Sequence, residues 1–482
     1  MTDMKDRRFT EITELVEAGK KTYTGLSDAV WDFAEPRFQE RRSSALQADY
    51  LASRGFRVRR GLAGEETAFV AEAGDSGPVI AFLGEFDALS QLQQEAGATE
   101  RRPLPDKTCG HGCGHHLLGT ASLAAADALK QYLERRGLAG RVRYYGCPAE
   151  ENAGGKAFLV RDGYFDDCDA VFTWHPHTTN KAMGRDRFLA NFRAFFTFHG
   201  ISSHAAAAPH LGRSALDAVE IMDVGVNYMR EHMIESARIH GAITDAGGTA
   251  PNVIPSRAQV LYALRAPKIA QVRALFDRMC KIAQGAALIT ETTVEVRQVA
   301  AYANVLGNPT LERLMDEILR RRVPLDYTEE EKACAARFKA VTTEQDRENL
   351  SDLLRSLAES PREYEALSEM PLLNFVLDRR LTHGGGGSTD AGNVSFVAPF
   401  AQVNVCCFAA GTALHSWQAA AQGKSAPAHR GMLTAAKVMA EAGATLLEDP
   451  RLLAQAKADF KEAIAREPMP EMLPPDASPE IW

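Results

Sequence analysis

Cysteine is sparse: eight residues in a chain of 482 are too few for a disulfide scaffold. A basic excess is missing as well. Fifty-five Lys and Arg stand against 63 Asp and Glu, a formal net charge of −8, which argues against nucleic acid as a partner. No apolar run reaches the roughly 18 residues that a membrane span needs. The opening M-T-D-M-K-D-R-R-F-T-E is charged where a secretory leader carries an apolar core. The expectation is a soluble, cytoplasmic protein with neither a nucleic-acid nor a membrane partner. Solenoid-type repeats are absent too. What the chain does have is core material. Hydrophobic residues make up 45% of it, and at roughly 100–200 residues per domain the length predicts two to four domains.

The first half alternates strand and helix signals. Val79–Leu83, Arg141–Cys147 and Ala170–Trp174 read as buried strands, and Leu117 to about Arg136 reads as an Ala- and Leu-rich helix ending before Gly137. That alternation predicts an α/β layer with a mostly parallel, mixed sheet flanked by helices. From Leu189 the order changes to strand (189–198), helix (214–233), strands (238–244 and 258–265), helix (269–289) and strand (293–299). This β-α-β-β-α-β order is the ferredoxin-like split motif. It predicts an inserted domain at 189–304 between two parts of one discontinuous domain, 1–188 and 305–482. Residues 305–380 read as a helical excursion whose charge runs, Arg320–Arg322 and Glu329–Glu331, face solvent. Gly384–Gly387 reads as a flexible linker or as a loop passing close to a ligand, with Ser388, Thr389 and Asp390 following it. The Pro-rich, acidic tail from about Pro468 is expected to fray.

Four motifs carry chemistry. G-H-G-C-G-H-H at 110–116 places Cys113 and His115 on a Gly-rich loop before a helix, where a thiolate and an imidazole suit Zn²⁺ or a similar borderline metal. The same residues also read as a buried thiol beside helix-capping histidines. P-A-E-E-N at 148–152 follows a strand, where α/β sheets bind ligands. One of Glu150 and Glu151 can hold a metal while the other takes a proton from bound water. W-H-P-H at 174–177 offers His175 or His177 at a further strand end, and L-H-S-W-Q at 414–418 offers His415 after an apolar strand at 401–409. Together Cys113, His115, Glu151, His175 and His415 exceed one closed zinc site and suit two metals sharing a bridging group.

These motifs, with G-E-F-D-A-L at 84–89, G-G-T-A-P-N-V-I-P at 247–255 and S-T-D-A-G-N-V-S at 388–395, resemble the metal-dependent aminoacylase and carboxypeptidase G family over nearly the whole chain. The Cys-Gly-His form is similar to its auxin-conjugate amidohydrolase branch. The resemblance implies hydrolysis of an amide in an N-acyl amino acid, with aminobenzoyl-glutamate or a similar acyl-glutamate or acyl-aspartate as substrate. It implies two divalent metal ions per subunit, Zn or Mn, with Co admissible. Cys113 is the implied shared ligand, His115 and His175 hold one metal, and Glu151 and His415 hold the other. Glu150 is the implied general base, and Asp87 orients a ligand histidine. His204 steadies the oxyanion and in family dimers reaches the site of the neighbouring protomer. Asn252 and Arg265 hold substrate, and Asp390 matches a pocket position. His116 departs from the Asp or Asn of many relatives, and Thr412-Ala413-Leu414 stands where relatives often carry Pro. The resemblance further implies a homodimer through the inserted domain, or a heteromer with a related chain, and closure about hinges near residues 188 and 304. A dipeptidase, an auxin-conjugate amidohydrolase and a catalytically weak partner subunit are the rival readings.

Overall fold

The computed structural model describes residues 2–183, 188–381 and 387–481. Of the four-glycine run, residues 384–386 lie outside the described residues. The first part of the chain runs α1 (Thr2–Ala18), α2 (Lys20–Phe33), α3 (Arg41–Ser53), β1 (Arg57–Leu62), β2 (Glu65–Ala73), β3 (Val79–Glu85), β4 (Leu89–Ser90), β5 (Cys109–Gly110), α4 (His115–Arg136), β6 (Arg141–Cys147), α5 (Gly155–Arg161), β7 (Ala170–His177) and β8 (Lys181–Ala182). The middle runs β9 (Ala190–His199), α6 (Ala215–Met229), β10 (Arg238–Asp245), β11 (Arg257–Ala266), α7 (Ile269–Thr290) and β12 (Thr293–Tyr302). The remainder is α8 (Pro309–Arg322), α9 (Glu329–Ala340), α10 (Glu344–Leu357), α11 (Pro361–Glu369), α12 (Ala391–Ser395), β13 (Phe400–Cys406), α13 (Trp417–Gln422), α14 (Ala426–Glu448) and α15 (Pro450–Arg466).

Seven strands form one sheet in the order β1-β2-β6-β3-β7-β13-β8. β6, β3, β7 and β13 run parallel, while β1, β2 and β8 are antiparallel additions. The central strands read as unbroken apolar runs because both faces are covered. Alternation then divides their side chains. Ile80, Phe82, Phe172 and Trp174 pack with α1, α4, α8 and α14, whereas Val79, Ala81, Leu83 and Val171 belong to a second core. That second core continues through Phe158 into Phe192, Phe196, Val260 and Phe276 of the middle segment. The middle segment is the expected β-α-β-β-α-β unit, an antiparallel sheet in the order β10-β11-β9-β12. None of the described helices is long and apolar enough to cross a membrane.

The helical excursion forms because its turns carry caps: Thr328 and Thr343 make capping boxes, and Ser360 caps a helix that begins with Pro361. Its charges are not all solvent-facing, contrary to the reading from charge patterning. Arg322 is buried and paired with Glu441, and Glu331 is buried, caps α9 and pairs with Arg430. A buried charge needs such a partner, which a charge run in sequence does not display. Phe338 packs with Tyr327, Leu372, Cys406 and Ala409, and Leu353, Leu354 and Leu373 pack with Ala410. The excursion therefore braces the loop that leads from β13 to His415. The C-terminal tail is likewise anchored rather than frayed. Met472 and Leu473 are buried, and Gln298 Nε2 donates to the Met472 carbonyl.

Candidate metal centre

Loops at the C-terminal ends of β3, β6, β7 and β13 converge on one edge of the large sheet, the edge where open α/β sheets bind ligands. The loop between β5 and α4 brings Cys113 there and starts α4 at His115. Gly114 lies at φ +84, and a Cβ there would sit 2.6 Å from Pro176 Cγ, so only glycine lets this loop press against β7. On the opposite side His415 adopts φ 59 and its backbone N–H donates to the Gly112 carbonyl at 2.9 Å. Ala149, just before the two glutamates, also has φ 59. Left-handed backbone at non-glycine residues costs about 1–3 kcal/mol and gathers at functional sites.

Three groups of potential ligand atoms, each within 4.8 Å of one another, occupy this edge: Cys113, His115 and His175; Cys113, Glu151 and His415; and Glu85, His115 and Glu150. Cys113 Sγ lies 3.3 Å from His175 Nε2, and His415 Nε2 lies 3.3 Å from Glu151 Oε2. The remaining ring nitrogens are tied back. His115 Nδ1 donates to Asp87 Oδ1 at 2.8 Å, and His175 Nδ1 donates to the Pro176 carbonyl at 2.8 Å. Both rings thus turn Nε2 to the cluster, the orientation that metal-binding histidines adopt. Among the described residues, His115 Nε2 and Glu151 Oε1 are buried with no hydrogen-bond partner. A donor set of imidazole, thiol and carboxylate atoms left unsatisfied around one point fits a divalent cation.

Electrostatics agree with this chemistry. Burial raises the Cys113 thiol, but the neighbouring His175 and His115 outweigh it and hold the thiol well below its usual range. Burial, then the Cys113 charge, pushes Glu151 up to about 7. Glu150 is raised well above an ordinary carboxyl by burial and by Glu85, Glu151 and Asp390. Burial would raise Asp87, yet His115 and the Glu151 N–H keep it below its ordinary value.

The cavity beside the cluster measures about 570 Å³, and residues of both sheets line it. The structure brings together Cys113, His115, Glu150, Glu151, His175 and His415, with Asp87 behind His115. Arg265 lines the cavity. Asp390 is fully buried beneath it: Oδ1 accepts from Lys156 Nζ at 2.6 Å and Oδ2 from the Lys156 backbone N–H at 2.9 Å. His204 and Asn252 are exposed neighbours on the four-stranded unit, joined by a bridge from His204 to Val253, and are not among the lining residues. Glu85 and Lys156 are among the buried groups to which the sequence reading gave no role. Glu85 Oε2 approaches His115 Nε2 at 3.3 Å, and Lys156 Nζ donates to Glu85 Oε1 at 2.6 Å. Glu85 stands at a strand end inside G-E-F-D-A-L, so the strand-end criterion used for the other motifs applies to it as well. Lys156 closes the run P-A-E-E-N-A-G-G-K at 148–156, but nothing local assigns it a role, because its partners come from residues 85 and 390.

A sheet edge that gathers thiol, imidazole and carboxylate groups around one point is the arrangement of a metallohydrolase. The chain belongs to Peptidase family M20/M25/M40, which matches residues 81–475, and is a hydrolase of amide bonds. It is 44% identical over 471 residues to one of the p-aminobenzoyl-glutamate hydrolase subunits of Escherichia coli (strain K12), covering 97% of this chain and 98% of that protein. It is 30% identical over 465 residues to the Xaa-Arg dipeptidase of Mus musculus, covering 93% and 91%. Its fold is similar to that of a solved Bacillus subtilis protein described as a dinuclear metal binding peptidase of the M20 family. The TM-score is 0.54 at 18% identity, with 90% of this chain and 99% of that one covered.

Proposed function

We propose that the chain hydrolyses N-acyl amino acids, with aminobenzoyl-glutamate or a similar acyl-glutamate or acyl-aspartate as substrate, at a centre of two divalent ions. The observation that carries this reading is the membership of Cys113 in two groups of potential ligands at once, with Glu150 in a third that shares His115 with the first. His115 and His175 would hold one ion and Glu151 and His415 the other, with Cys113 shared. Zn²⁺ suits the thiolate best, while Mn²⁺ and Co²⁺ also accept imidazole and carboxylate. Divalent ions held there would supply Lewis-acid chemistry, polarising an amide carbonyl and lowering the pKa of a water, and their charge would favour the Glu150 anion. Glu150 takes the proton of the attacking water and delivers it to the leaving amine. His204 Nδ1 accepts from the N–H groups of Ala206 and Ala207 at 3.2 and 3.1 Å. The ring proton therefore sits on Nε2, the form that donates to an oxyanion. Arg265 receives the substrate carboxylate.

His204 and Asn252 are exposed, so in this reading they serve the site of a neighbouring protomer. The middle unit, residues 189–304, acts as lid and dimerisation domain between catalytic segments 1–188 and 305–482, hinged near 188 and 304. A homodimer meets that need. The Escherichia coli relative is named as a subunit, which favours pairing with a related chain as the second arrangement. All eight cysteines are free thiols, in keeping with a reducing cytoplasm. The test is turnover of the metal-loaded chain, alone, against a panel of aminobenzoyl-glutamate, other N-acyl amino acids, dipeptides and auxin-type conjugates. Fastest turnover of the acyl-glutamates is expected. Hydrolysis confined to dipeptides overturns the substrate assignment, and inactivity of the chain alone, cured by a related chain, selects the heteromer.

A further inference from the structure

One amide in the cavity wall has no counterpart in the roles assigned so far. Asn191 on β9 is 1% exposed and lines the cavity. Neither its Nδ2 nor its Oδ1 has a hydrogen-bond partner among the described residues. Leaving both ends of a buried amide unpaired is costly, and such groups call for an explanation outside the protein's own bonding. The strand register shows what surrounds it. Asn191 stands directly opposite Arg265 on β11 and directly opposite Tyr302 on β12. Arg193, two residues along the same strand and so on the same face, also lines the cavity and is fixed by donating Nη1 to the Asn152 carbonyl at 2.8 Å. Tyr302 is fixed by donating to the Glu150 carbonyl at 2.9 Å.

We propose that Asn191 is a substrate-reading residue, which recognises together the carboxylate and the adjoining amide N–H of an N-acyl amino acid. Such a substrate presents an anionic acceptor and a donor on either side of a single Cα. A primary carboxamide presents one donor and one acceptor on a single carbon, and it matches that pair whichever way the amide is turned. Arg265 opposite shares the carboxylate, and Arg193 on β9 adds positive potential while keeping its bond to the Asn152 carbonyl. Burial and then the neighbouring Arg193 hold the Arg265 guanidinium below its ordinary pKa, which marks the two cations as close. This inference rests on the amide-hydrolysis reading and extends it to how the acid half of the substrate is chosen.

The test compares Asn191→Leu and the milder Asn191→Ser with the parent, using an N-acyl glutamate and the same compound with its α-carboxylate capped as an amide. Each Asn191 variant is expected to lose about tenfold of the parent's kcat/KM preference for the free acid, the worth of one hydrogen bond to a charged group. Glutamate, the product, is expected to bind each variant weaker by a similar factor in titration calorimetry. The thermal midpoint of Asn191→Leu is expected to stay level or rise, since an unpaired buried polar group is removed. An unchanged preference with an active parent overturns this assignment alone, as does a fall in midpoint with unchanged product binding. A parent inert towards every N-acyl amino acid overturns the amide-hydrolysis reading and takes this inference with it.

Discussion

The Asp87 carboxylate ties His115 and Glu151 together: Oδ1 accepts from His115 Nδ1 at 2.8 Å, and Oδ2 accepts the Glu151 backbone N–H at 2.9 Å. One buried side chain thus positions members of two ligand groups. Asp87→Ala is expected to weaken metal binding about 10–100-fold, the usual worth of a group that orients a ligand histidine. Titration against a buffered metal chelator reads this directly. Affinity equal to the parent's would show that His115 is oriented by packing alone.

Glu150→Gln keeps the size of the side chain and removes its proton-accepting oxygen. With Glu150 in the proposed role of general base, turnover is expected to fall at least about 100-fold, while metal content by mass spectrometry stays at the parent's level. Retained turnover with full metal would assign the proton transfer elsewhere.

Lys156 is fully buried between Glu85 and Asp390. Burial opposes its charge, but Asp390 and Glu85 hold it well above the ordinary lysine pKa. Lys156→Met leaves two carboxylates without their cation, a change that typically costs about 3–5 kcal/mol. Urea denaturation is expected to show that loss. Adding Asp390→Asn to Lys156→Met is expected to recover part of it.

Glu40 is buried, accepts from Thr67 Oγ1 at 2.9 Å and from the Ala149 N–H at 3.0 Å, and is pushed up to about 8 by burial and by Asp87. Its folded pKa exceeds the unfolded value, so between about pH 4.5 and 8 the folded state holds a proton that the unfolded state has lost. Stability from this group is full below pH 4.5 and declines as pH rises towards 8, by up to about 1.4 kcal/mol per pH unit. Glu40→Gln is expected to flatten that part of the stability-pH curve. An identical slope in parent and variant would place the proton on another group.

Much of the site was legible because strand ends and loop glycines leave local marks. Glu150, Glu151 and His175 follow apolar runs, and Cys113 and His115 sit in a Gly-rich turn. The β-α-β-β-α-β order of the middle unit was legible for the same reason, since each strand and helix has its own period. Glu85 was passed over although it stands at such a strand end. Asn191 left no mark, because an asparagine in a strand says nothing about whether its amide has a partner. Arg322 and Glu331 misled, because a run of like charge reads as solvated until the partner, Glu441 or Arg430, is in view.

The sequence by itself determined the element types, the family and the residue kinds that a metal would need, since hydrophobic period, turn chemistry and motif spacing are all properties of neighbouring residues. Only the tertiary structure decided that Cys113 stands in two groups of potential metal ligands, that Lys156 bridges Glu85 and Asp390, and that Asn191 faces Arg265 with its amide unpaired among the described residues. Each of those relations joins positions far apart in the numbering. Burial and pairing at such separations come from packing and strand register, which no local pattern records.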